Sequence, residues 1–548
     1  MSILDSIVEA THNQIAQTYV VAPEQRKKFQ AILNTDAQRQ AFGDLSFNAP
    51  LVLAGIVGKP PRVIAQTITQ TLKHAAVERI EIAGPGFINL FLTADAYKQL
   101  ATELITQDNQ FFKQPSASTH YSIEFVSANP TGPLHFGHGR GGIIGDVLGN
   151  VLRFLGYPVT KEFYINDAGS QIHKLGLSLK VRCLQQLNQA ATLPEDGYQG
   201  EYLIDLAKKC VQAHGSKILE LDDSFFEQYA TIHLLTMIKE TLASYGITYD
   251  VWFSEKTLHD SNAIRAAVEY LKQHDYTYEQ DGALWFKASQ FGDEKDRVIR
   301  KNDGQWTYLA SDIAYMRSKT DRGAQHLVMV LGQDHHGYVD RIHGLQKALG
   351  LEQYPVDIIL YQLVSLSEQG QKVRMSKRAG RIVTLQDIID TVGRDVARFF
   401  FLHRKADAHL DFDLELALKK TEENPVYYVQ YAYVRMNSIL QKAASLQALQ
   451  NITLADIAGT GPSEYLIIKK IAALKEVLET IAHNYQTHQL TYYALELSQL
   501  FHSYYGAHKI INLENVPQSR ARLLVLQQLQ RTLSHTLDIL GISTPQSM

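Results

Sequence analysis

The stretch from residue 121 to 156, YSIEFVSANPTGPLHFGHGRGGIIGDVLGNVLRFLG, restricts the possible folds more than any other part of the sequence. Ile123 and Phe125 favour a strand, and the Ala-Asn-Pro-Thr-Gly-Pro run that follows cannot continue regular structure, so the chain must turn there. A helix is predicted from about His138, because apolar residues recur at helical spacing. Its inward face comprises Ile144, Val147, Leu148, Val151 and Leu155. This order predicts a helix packed on a sheet, with its N-terminus above the end of the strand.

The tetrapeptide His135-Phe136-Gly137-His138 stands immediately at that predicted helix start. A helix N-terminus carries unpaired backbone N–H groups and about half a positive charge, which suits an anion such as a phosphate. The glycine allows close approach of the backbone to a ligand, and two imidazoles can donate hydrogen bonds to phosphate oxygens. An isolated HxGH is equally compatible with two ordinary histidines in a turn. Its position between a strand and an amphipathic helix favours the phosphate site.

Length and composition limit the class of protein. A chain of 548 residues suggests about three domains. The 45% hydrophobic and 20% charged residues are typical of a soluble globular protein. We expect a cytoplasmic protein, because no apolar run is long enough to span a membrane and the N-terminus does not have the pattern of a signal peptide.

Cys183 and Cys210 form no CxxC pair, so neither a zinc site nor a disulfide framework is indicated. A net charge of −4 neither demands nor excludes a nucleic-acid partner.

Three domains are predicted from the distribution of helical and strand patterns. They are residues 1–112, a small N-terminal α/β domain; residues 113–406, an α/β domain; and residues 407–548, which are almost all helical in pattern. Within the first, alternating residues on either side of Gly84-Pro85-Gly86 predict two strands joined by a turn. The polar stretch 108–119 is predicted to be a linker. Helical patterns from about 171 to 246 indicate an insertion into the central domain, extending to about residue 300.

Further candidate residues lie in the second half of the central domain. Tyr308 and Asp312 are four apart on a predicted helix and would share one face, either as a structural pair or as a seat for a cation. The buried strand Leu327–Leu331 ends at Gly332-Gln333-Asp334-His335-His336, at the sheet edge where ligands of open α/β sheets lie. A metal held by Asp334, His335 and His336 is disfavoured, because three adjacent residues rarely ligate one ion well.

The second chemical signature is QKVRMSKRAGRIVT, residues 371–384. It contains five cations, flanking glycines and a predicted helix cap at Thr384. The cations are Lys372, Arg374, Lys377, Arg378 and Arg381. Such a loop could close on a polyphosphate or could be a solvated basic loop. The Met-Ser-Lys pattern combined with the upstream HxGH favours the polyphosphate.

Together, HFGH and RMSKR resemble the paired signatures of class I aminoacyl-tRNA synthetases. SANPTGPLHFGHGRGGIIGD, INDAG, TYLASDIAY, GQDHHGY, RMSKRAGRIVTL and NPVYYVQYAYVR resemble arginyl-tRNA synthetase of the bacterial type, and AGPGFINLFL resembles that family's N-terminal domain. The similarity covers essentially the whole chain. It implies a multi-domain α/β fold with a Rossmann-like parallel-sheet catalytic domain, a small N-terminal α/β domain that contacts tRNA, and an all-α C-terminal domain that binds the anticodon.

The resemblance also implies site residues. His135, His138 and Lys377 would be catalytic, and ATP would be bound by His135, Gly137, His138, Gly139, Arg374, Met375, Ser376 and Lys377. Arginine would be bound by Glu124, Ser127, Asn129, Tyr308, Asp312 and Gln333. The chemistry agrees, since a guanidinium offers five donors and no acceptor and needs carboxylate and amide oxygens around it. Arg374 departs from the family pattern, in which class I enzymes often have lysine.

The implied activity is that of an arginine–tRNA ligase, with L-arginine, ATP and tRNA(Arg) as partners. Mg²⁺ would accompany ATP as substrate, with no metal ligated by the protein, and the chain is expected to be a monomer with no membrane association. A small-molecule nucleotidyltransferase would not explain the helical tail, and a non-catalytic RNA-binding protein would not explain the two signatures. Tyr427, Tyr428, Tyr431 and Tyr433 could stack on unpaired bases or belong to the core of the tail. The anticodon assignment rests on the resemblance alone.

Overall fold

The computed structural model describes residues 2–26, 28–368, 371–372 and 383–548. Its N-terminal part is a four-stranded antiparallel sheet, in the order β1-β2-β4-β3, with helices beside it. The elements are α1 (Ile3–Thr18), α2 (Pro23–Arg26), β1 (Ala31–Leu33), β2 (Leu45–Phe47), α3 (Ala49–Val57), α4 (Pro61–Thr71), β3 (Val77–Ala83), β4 (Phe87–Leu92) and α5 (Ala94–Gln107). The two strands predicted around Gly84-Pro85-Gly86 are confirmed as β3 and β4, with Ile82 opposite Ile88.

The central part is built on a five-stranded parallel sheet in the order β12-β11-β5-β6-β7. Its elements are β5 (Tyr121–Phe125), α6 (His138–Leu155), β6 (Val159–Ile165), α7 (Ser170–Gln186), α8 (Glu201–His214), α9 (Asp223–Ser244), β7 (Val251–Ser254), α10 (Lys256–Asp260), α11 (Ala263–Gln273), β8 (Thr277–Gln280), β9 (Ala283–Phe286), β10 (Arg297–Arg300), α12 (Tyr308–Asp321), β11 (His326–Gly332), α13 (Val339–Ala348) and β12 (Val356–Tyr361). The strand order reverses between β5 and β11, so the crevice where such sheets bind ligands opens at the carboxyl ends of these two strands.

Helix α6 begins at His138, and its predicted inward face is confirmed as buried. Glycines let this helix lie directly on the sheet. A Cβ added at Gly145 would be 2.2 Å from Cγ of Phe125 on β5, and one added at Gly149 would be 2.4 Å from Cε of Lys161 on β6. The close approach fixes the height of the HxGH turn above the sheet.

Helices α7, α8 and α9 confirm the helical block predicted after the INDAG turn, and they enclose a separate core that includes Cys183 and Cys210. The range 171–300 predicted for the insertion is not purely helical. It contains β7, which belongs to the main sheet, and a three-stranded antiparallel sheet in the order β10-β9-β8. The chain therefore returns to the parallel sheet once before continuing to α12.

The C-terminal part is mainly helical. Its elements are β13 (Val364–Glu368), β14 (Gln371–Lys372), α14 (Leu385–Val392), α15 (Arg394–Leu402), β15 (Leu410–Asp413), α16 (Leu414–Leu418), α17 (Pro425–Ala444), α18 (Pro462–Ala472), α19 (Leu474–Asn484), α20 (Gln489–Ala507) and α21 (Val516–Leu540). The predicted cap at Thr384 is confirmed as a capping box with Asp387. Residues 410–413 depart from the helical pattern, because β15 pairs in parallel with β13.

The N-terminal part packs against the helical tail. Tyr97 stacks on Tyr465 at a centroid distance of 3.9 Å, and the buried Nζ of Lys469 lies 2.6 Å from Oδ1 of Asp44. The stretch 108–119, predicted to be a polar linker, is packed against the rest of the protein in part, because Phe111 and Phe112 are buried. In the described part of the chain, no helix combines the length and apolar character that crossing a membrane requires.

Candidate active site

The HxGH turn enters α6 with its backbone donors already used. The N–H groups of His138, Gly139 and Arg140 donate to the carbonyls three residues before them, at 2.9–3.3 Å. The N–H of Phe136 donates to the carbonyl of Val383. The expectation of unpaired helix N–H groups facing a phosphate is therefore wrong for this turn, because the chain tightens into the helix instead of leaving its first amides open.

The two imidazoles are the donors that the turn presents. Nδ1 of His138 accepts the N–H of His135 at 3.0 Å, and Nδ1 of His135 accepts the N–H of Gly137 at 3.1 Å. Acceptance at Nδ1 places the ring proton of each neutral histidine on Nε2. Burial and the neighbouring His135 lower the pKa of His138 to about 4, so its ring is neutral at physiological pH. The neutral ring of His138 can therefore donate a hydrogen bond from Nε2 to a phosphate oxygen, with no transfer of the proton.

The segment that ends the second signature lies directly beside the first. His135 and Thr384 form an antiparallel bridge, and the N–H of Leu385 donates to the carbonyl of Leu134 at 2.8 Å. Arg374, Met375, Ser376 and Lys377 lie outside the described residues. Residues 383–385, at the C-terminal end of the second signature, therefore lie against the HxGH turn, where the capped helix α14 begins.

Gly139 and Arg140 in the first turn of α6 have different environments. A Cβ at Gly139 would be 2.8 Å from Cδ1 of Leu385, so this glycine permits close packing of α14. The guanidinium of Arg140 is fully buried and donates to the carbonyls of Gln362 and Lys405, each at 2.8 Å. Within the described residues its Nε has no partner. Sequence reasoning missed Arg140, although a cation in the first turn of a helix is unfavourable for the helix dipole and was therefore a visible signal.

A cavity of about 220 Å³ opens at the carboxyl ends of β5 and β11. It brings together four of the six residues predicted to bind arginine, namely Glu124, Ser127, Asn129 and Asp312. Its apolar wall comes from Met316, Leu327, Met329, Leu331, Ile342 and Leu345. A cavity with apolar walls and a few polar groups is typical of a small-molecule site.

Glu124, at the end of β5, is buried and fully paired. Its Oε2 accepts from Nζ of Lys319 at 2.5 Å, and its Oε1 accepts from Oγ of Ser127 at 3.1 Å. Lys319 is itself 3% exposed and lies 4.3 Å from the ring centroid of Tyr315. Lys319 was missed, although it lies seven residues after Asp312 on the same helix and its proximity to that face could have been inferred.

Asp312 is a carboxylate of this cavity with a strongly shifted pKa. Burial, together with the nearby charges of Glu124 and Glu255, raises the pKa of Asp312 to about 7, although Arg341 and Lys319 act in the opposite direction. A carboxylate whose ionised form is disfavoured by burial and by other carboxylates is stabilised by a cation that binds beside it. The arrangement therefore favours a cationic ligand.

The turn after β5 is strained. Val126 and Ser127 both have positive φ, at +68° and +40°. A β-branched residue in this region is rare, and such conformations cost about 1–3 kcal/mol each. The turn aims Oγ of Ser127 at Glu124 and lets it accept the N–H of Tyr164 at 3.1 Å. The strain thus positions polar groups at the cavity.

Tyr308 and Gln333 do not line this cavity. Tyr308 is 47% exposed and lines a different cavity, of about 630 Å³. Gln333 begins the short turn Gln333–Tyr338 after β11. The larger cavity also contains Glu255, which is 3% exposed. Among described residues, Oε2 of Glu255 has no hydrogen-bond partner, and burial raises the pKa of this carboxyl. No motif or spacing in the sequence singles out Glu255.

Three family models match consecutive parts of the chain. The model of the arginyl tRNA synthetase N terminal domain matches residues 3–92, that of the tRNA synthetases class I (R) catalytic domain matches residues 100–408, and that of the DALR anticodon binding domain matches residues 429–548. The three matches follow the order of the sheet and helix layers described above.

Relatives extend over almost the full length. The chain is 42% identical to Arginine–tRNA ligase 1 of Halalkalibacterium halodurans over 528 residues, which cover 95% of this chain and 94% of the relative. It is 39% identical to Arginine–tRNA ligase of Geobacillus kaustophilus over 559 residues, which cover 100% of both. Thermus thermophilus arginyl-tRNA synthetase has a similar fold, with a TM-score of 0.77, 21% identity and 100% coverage of both chains.

Proposed function

The chain belongs to the arginyl-tRNA synthetase family, and on that premise we propose how its residues share the reaction. It is an arginine–tRNA ligase, which activates L-arginine with ATP to arginyl-adenylate and transfers the arginyl group to the 3′ end of tRNA, releasing pyrophosphate and AMP. The resemblance seen in the motifs and the predicted multi-domain α/β fold are confirmed.

The phosphate side of the reaction is assigned to the start of α6 and the basic loop. His135 and His138 would donate Nε2–H bonds to ATP, with Gly137 and Gly139 allowing close approach and close packing. Lys377, with Arg374, Met375 and Ser376, would stabilise charge that develops as pyrophosphate leaves. The neutral state of His138 and the contact of the 383–385 segment with the HxGH turn support this division.

The arginine side is assigned to the cavity of about 220 Å³. Asp312 would face the guanidinium, because burial and neighbouring carboxylates disfavour its ionised form and a bound cation would stabilise it. Glu124 would contribute charge while held by Lys319 and Ser127. Asn129 would orient the amino acid, and Tyr308 and Gln333 would contribute from outside this cavity. This convergence of a histidine turn and a carboxylate cavity at one sheet edge carries the proposal.

The proposal extends to the metal, the domain limits, the oligomeric state and the location of the protein. Mg²⁺ would arrive with ATP; in the described residues no group of three or more His, Cys, Asp or Glu side chains could hold a metal ion. We propose the domain limits 1–112, 113–406 with an insertion at about 171–300, and 407–548, with tRNA contacted by the first and its anticodon by the last. A monomeric state and a cytoplasmic location are further proposals, testable by sedimentation and by cell fractionation.

Exchange of pyrophosphate into ATP, measured with each standard amino acid, tests the assignment of ATP to the start of α6 and of arginine to the cavity. Exchange is expected with arginine only, near background without tRNA and restored by added tRNA. His138→Ala is expected to raise KM for ATP, and Asp312→Asn to raise KM for arginine. Equal losses for both ligands in either variant would contradict the assignment. Exchange at full rate without RNA would refute the tRNA requirement alone.

A C-terminal truncation would not isolate the tRNA requirement. Removing residues beyond about Leu410 would delete β15 from its sheet and the helices on which the N-terminal part packs. A loss of exchange would then report lost folding as well as lost RNA binding. The full chain, measured with and without tRNA, separates these effects.

A further inference from the structure

A buried junction joins the end of the last helix, α21, to the helix that carries the HxGH turn. Its centre is Arg398 of α15, which is 1% exposed. Nε of Arg398 donates to the carbonyl of Leu540 at 2.8 Å, Nη1 donates to the carbonyl of Tyr245 at 2.9 Å, and Nη2 donates to Oδ2 of Asp146 at 2.5 Å. One side chain thus holds α6, the residue that follows α9, and the end of α21.

A second contact runs in parallel. Lys161 donates from Nζ to Asp146 at 2.6 Å and to Oδ1 of Asn150 at 2.7 Å. Asn150, on α6, donates in turn to the carbonyl of Ile539 at 2.9 Å. The two cations and one carboxylate leave an excess positive charge in the interior, and the carbonyl ends of α9 and α21 face it, as helix dipoles favour. Without the end of α21, Arg398 and Asn150 would each lose a carbonyl acceptor, that of Leu540 and that of Ile539.

From the junction, one residue leads to the active-site turn. The hydroxyl of Tyr245, which is fully buried, donates to the carbonyl of Gly139 at 3.2 Å, one residue beyond His138. The path from the tail is Gly541, Arg398, Tyr245 and Gly139. A Cβ at Gly541 would be only 2.3 Å from Nη2 of Arg398, so the tail leaves the guanidinium no room to move.

We infer that the end of α21, Ile539–Gly541, positions the ATP-binding turn through Arg398 and Tyr245. Arg398 and Tyr245 act as positioning residues, because neither is placed among the residues proposed to bind ATP. The helical tail thereby has a second task besides RNA recognition: it completes the support of the catalytic helix. This inference rests on the proposed role of α6 in ATP binding.

Two matched pairs of variants test it in the full-length chain, with saturating arginine and tRNA. The first pair is Gly541→Ala and Gly58→Ala. Both glycines follow a helix in the left-handed region, with φ of 68° and 67°, but an added Cβ at Gly58 meets nothing within 4 Å. The second pair is Tyr245→Phe and Tyr493→Phe. Both hydroxyls are buried and donate to a backbone carbonyl, and that of Tyr493 reaches Lys470, within the helical tail.

Gly541→Ala and Tyr245→Phe are expected to lower kcat/KM for ATP in pyrophosphate exchange by about threefold to thirtyfold, the range found for coupling through packed networks. Gly58→Ala and Tyr493→Phe should stay within about twofold of the parent, and the Kd for tRNA should not change in any of the four. A purely structural role would instead lower the thermal midpoint and leave the kinetics of the folded enzyme unchanged.

Equal kinetics within each pair overturn the inference. If Gly541→Ala does not fold, the tyrosine pair decides alone by the same comparison. His138→Ala separates the two levels of argument. If it raises KM for ATP while the pairs behave equally, only the inference fails, and if it leaves kcat/KM for ATP unchanged, the proposed role of α6 fails first.

Discussion

Arginine binding should be coupled to loss of a proton from Asp312. In the free protein burial and neighbouring carboxylates raise the pKa of Asp312 to about 7, and a guanidinium seated beside it would lower that pKa again. The neutral form of the acid does not attract the cation. The affinity for arginine should therefore fall as the pH falls through 7 and be constant above about pH 8.

The size of the effect follows from the pKa. A ligand that binds only the ionised form has an apparent Kd multiplied by one plus the ratio of protonated to ionised enzyme. For a pKa of about 7, this factor is about 11 at pH 6 and about 1.1 at pH 8. The apparent Kd should thus rise about tenfold, or about 1.4 kcal/mol, between the two. At pH 7 about half a proton should leave for each arginine bound.

Calorimetric titration with arginine measures both quantities, if each pH is run in two buffers of different ionisation enthalpy. Asp312→Asn should remove the pH dependence and weaken arginine binding by on the order of 2–5 kcal/mol, with ATP binding nearly intact. Asp321→Asn, at the exposed end of the same helix, is the matched control. Because His335 also lines the cavity, His335→Gln is measured in parallel and should keep the full pH dependence. A Kd that is flat from pH 6 to 8, with no proton released, would show that Asp312 is already ionised and refute the reasoning.

Two further predictions concern chemistry and packing. Lys377→Ala should lower the single-turnover rate of adenylate formation far more than arginine affinity, because a cation acting on departing pyrophosphate works in the transition state. Lys419→Ala, which removes a lysine paired with Glu423, is the control and should leave the chemistry near normal. A near-normal rate in Lys377→Ala as well would remove Lys377 from that role. Gly145→Ala should destabilise the fold by about 1–3 kcal/mol, since its Cβ would overlap Phe125, whereas Gly55→Ala, also inside a helix but with open space around it, should be neutral or stabilising. Equal thermal midpoints for these two glycine variants would mean that α6 can lift from the sheet without cost.

Features that depend on short stretches of chain could be predicted from the sequence. The buried face of α6, the strand β5, the β3–β4 pair and the Thr384 capping box all follow from spacing or from residues within four positions of each other. Local geometry links such residues whatever the rest of the chain does. The family could also be predicted, because few other proteins contain the residue types of the two signatures in this order along the chain.

The remaining properties of the site depend on residues that only the tertiary structure brings together. Lys319 neutralises Glu124 from 195 positions away, and Arg398 joins Asp146 to Leu540. The helix N–H groups expected to meet phosphate are paired within the turn itself, which spacing alone cannot reveal. Charge interactions and desolvation depend on distance in space and on burial, so the raised pKa of Asp312 and the task of the imidazole donors were decided by packing, not by the local sequence.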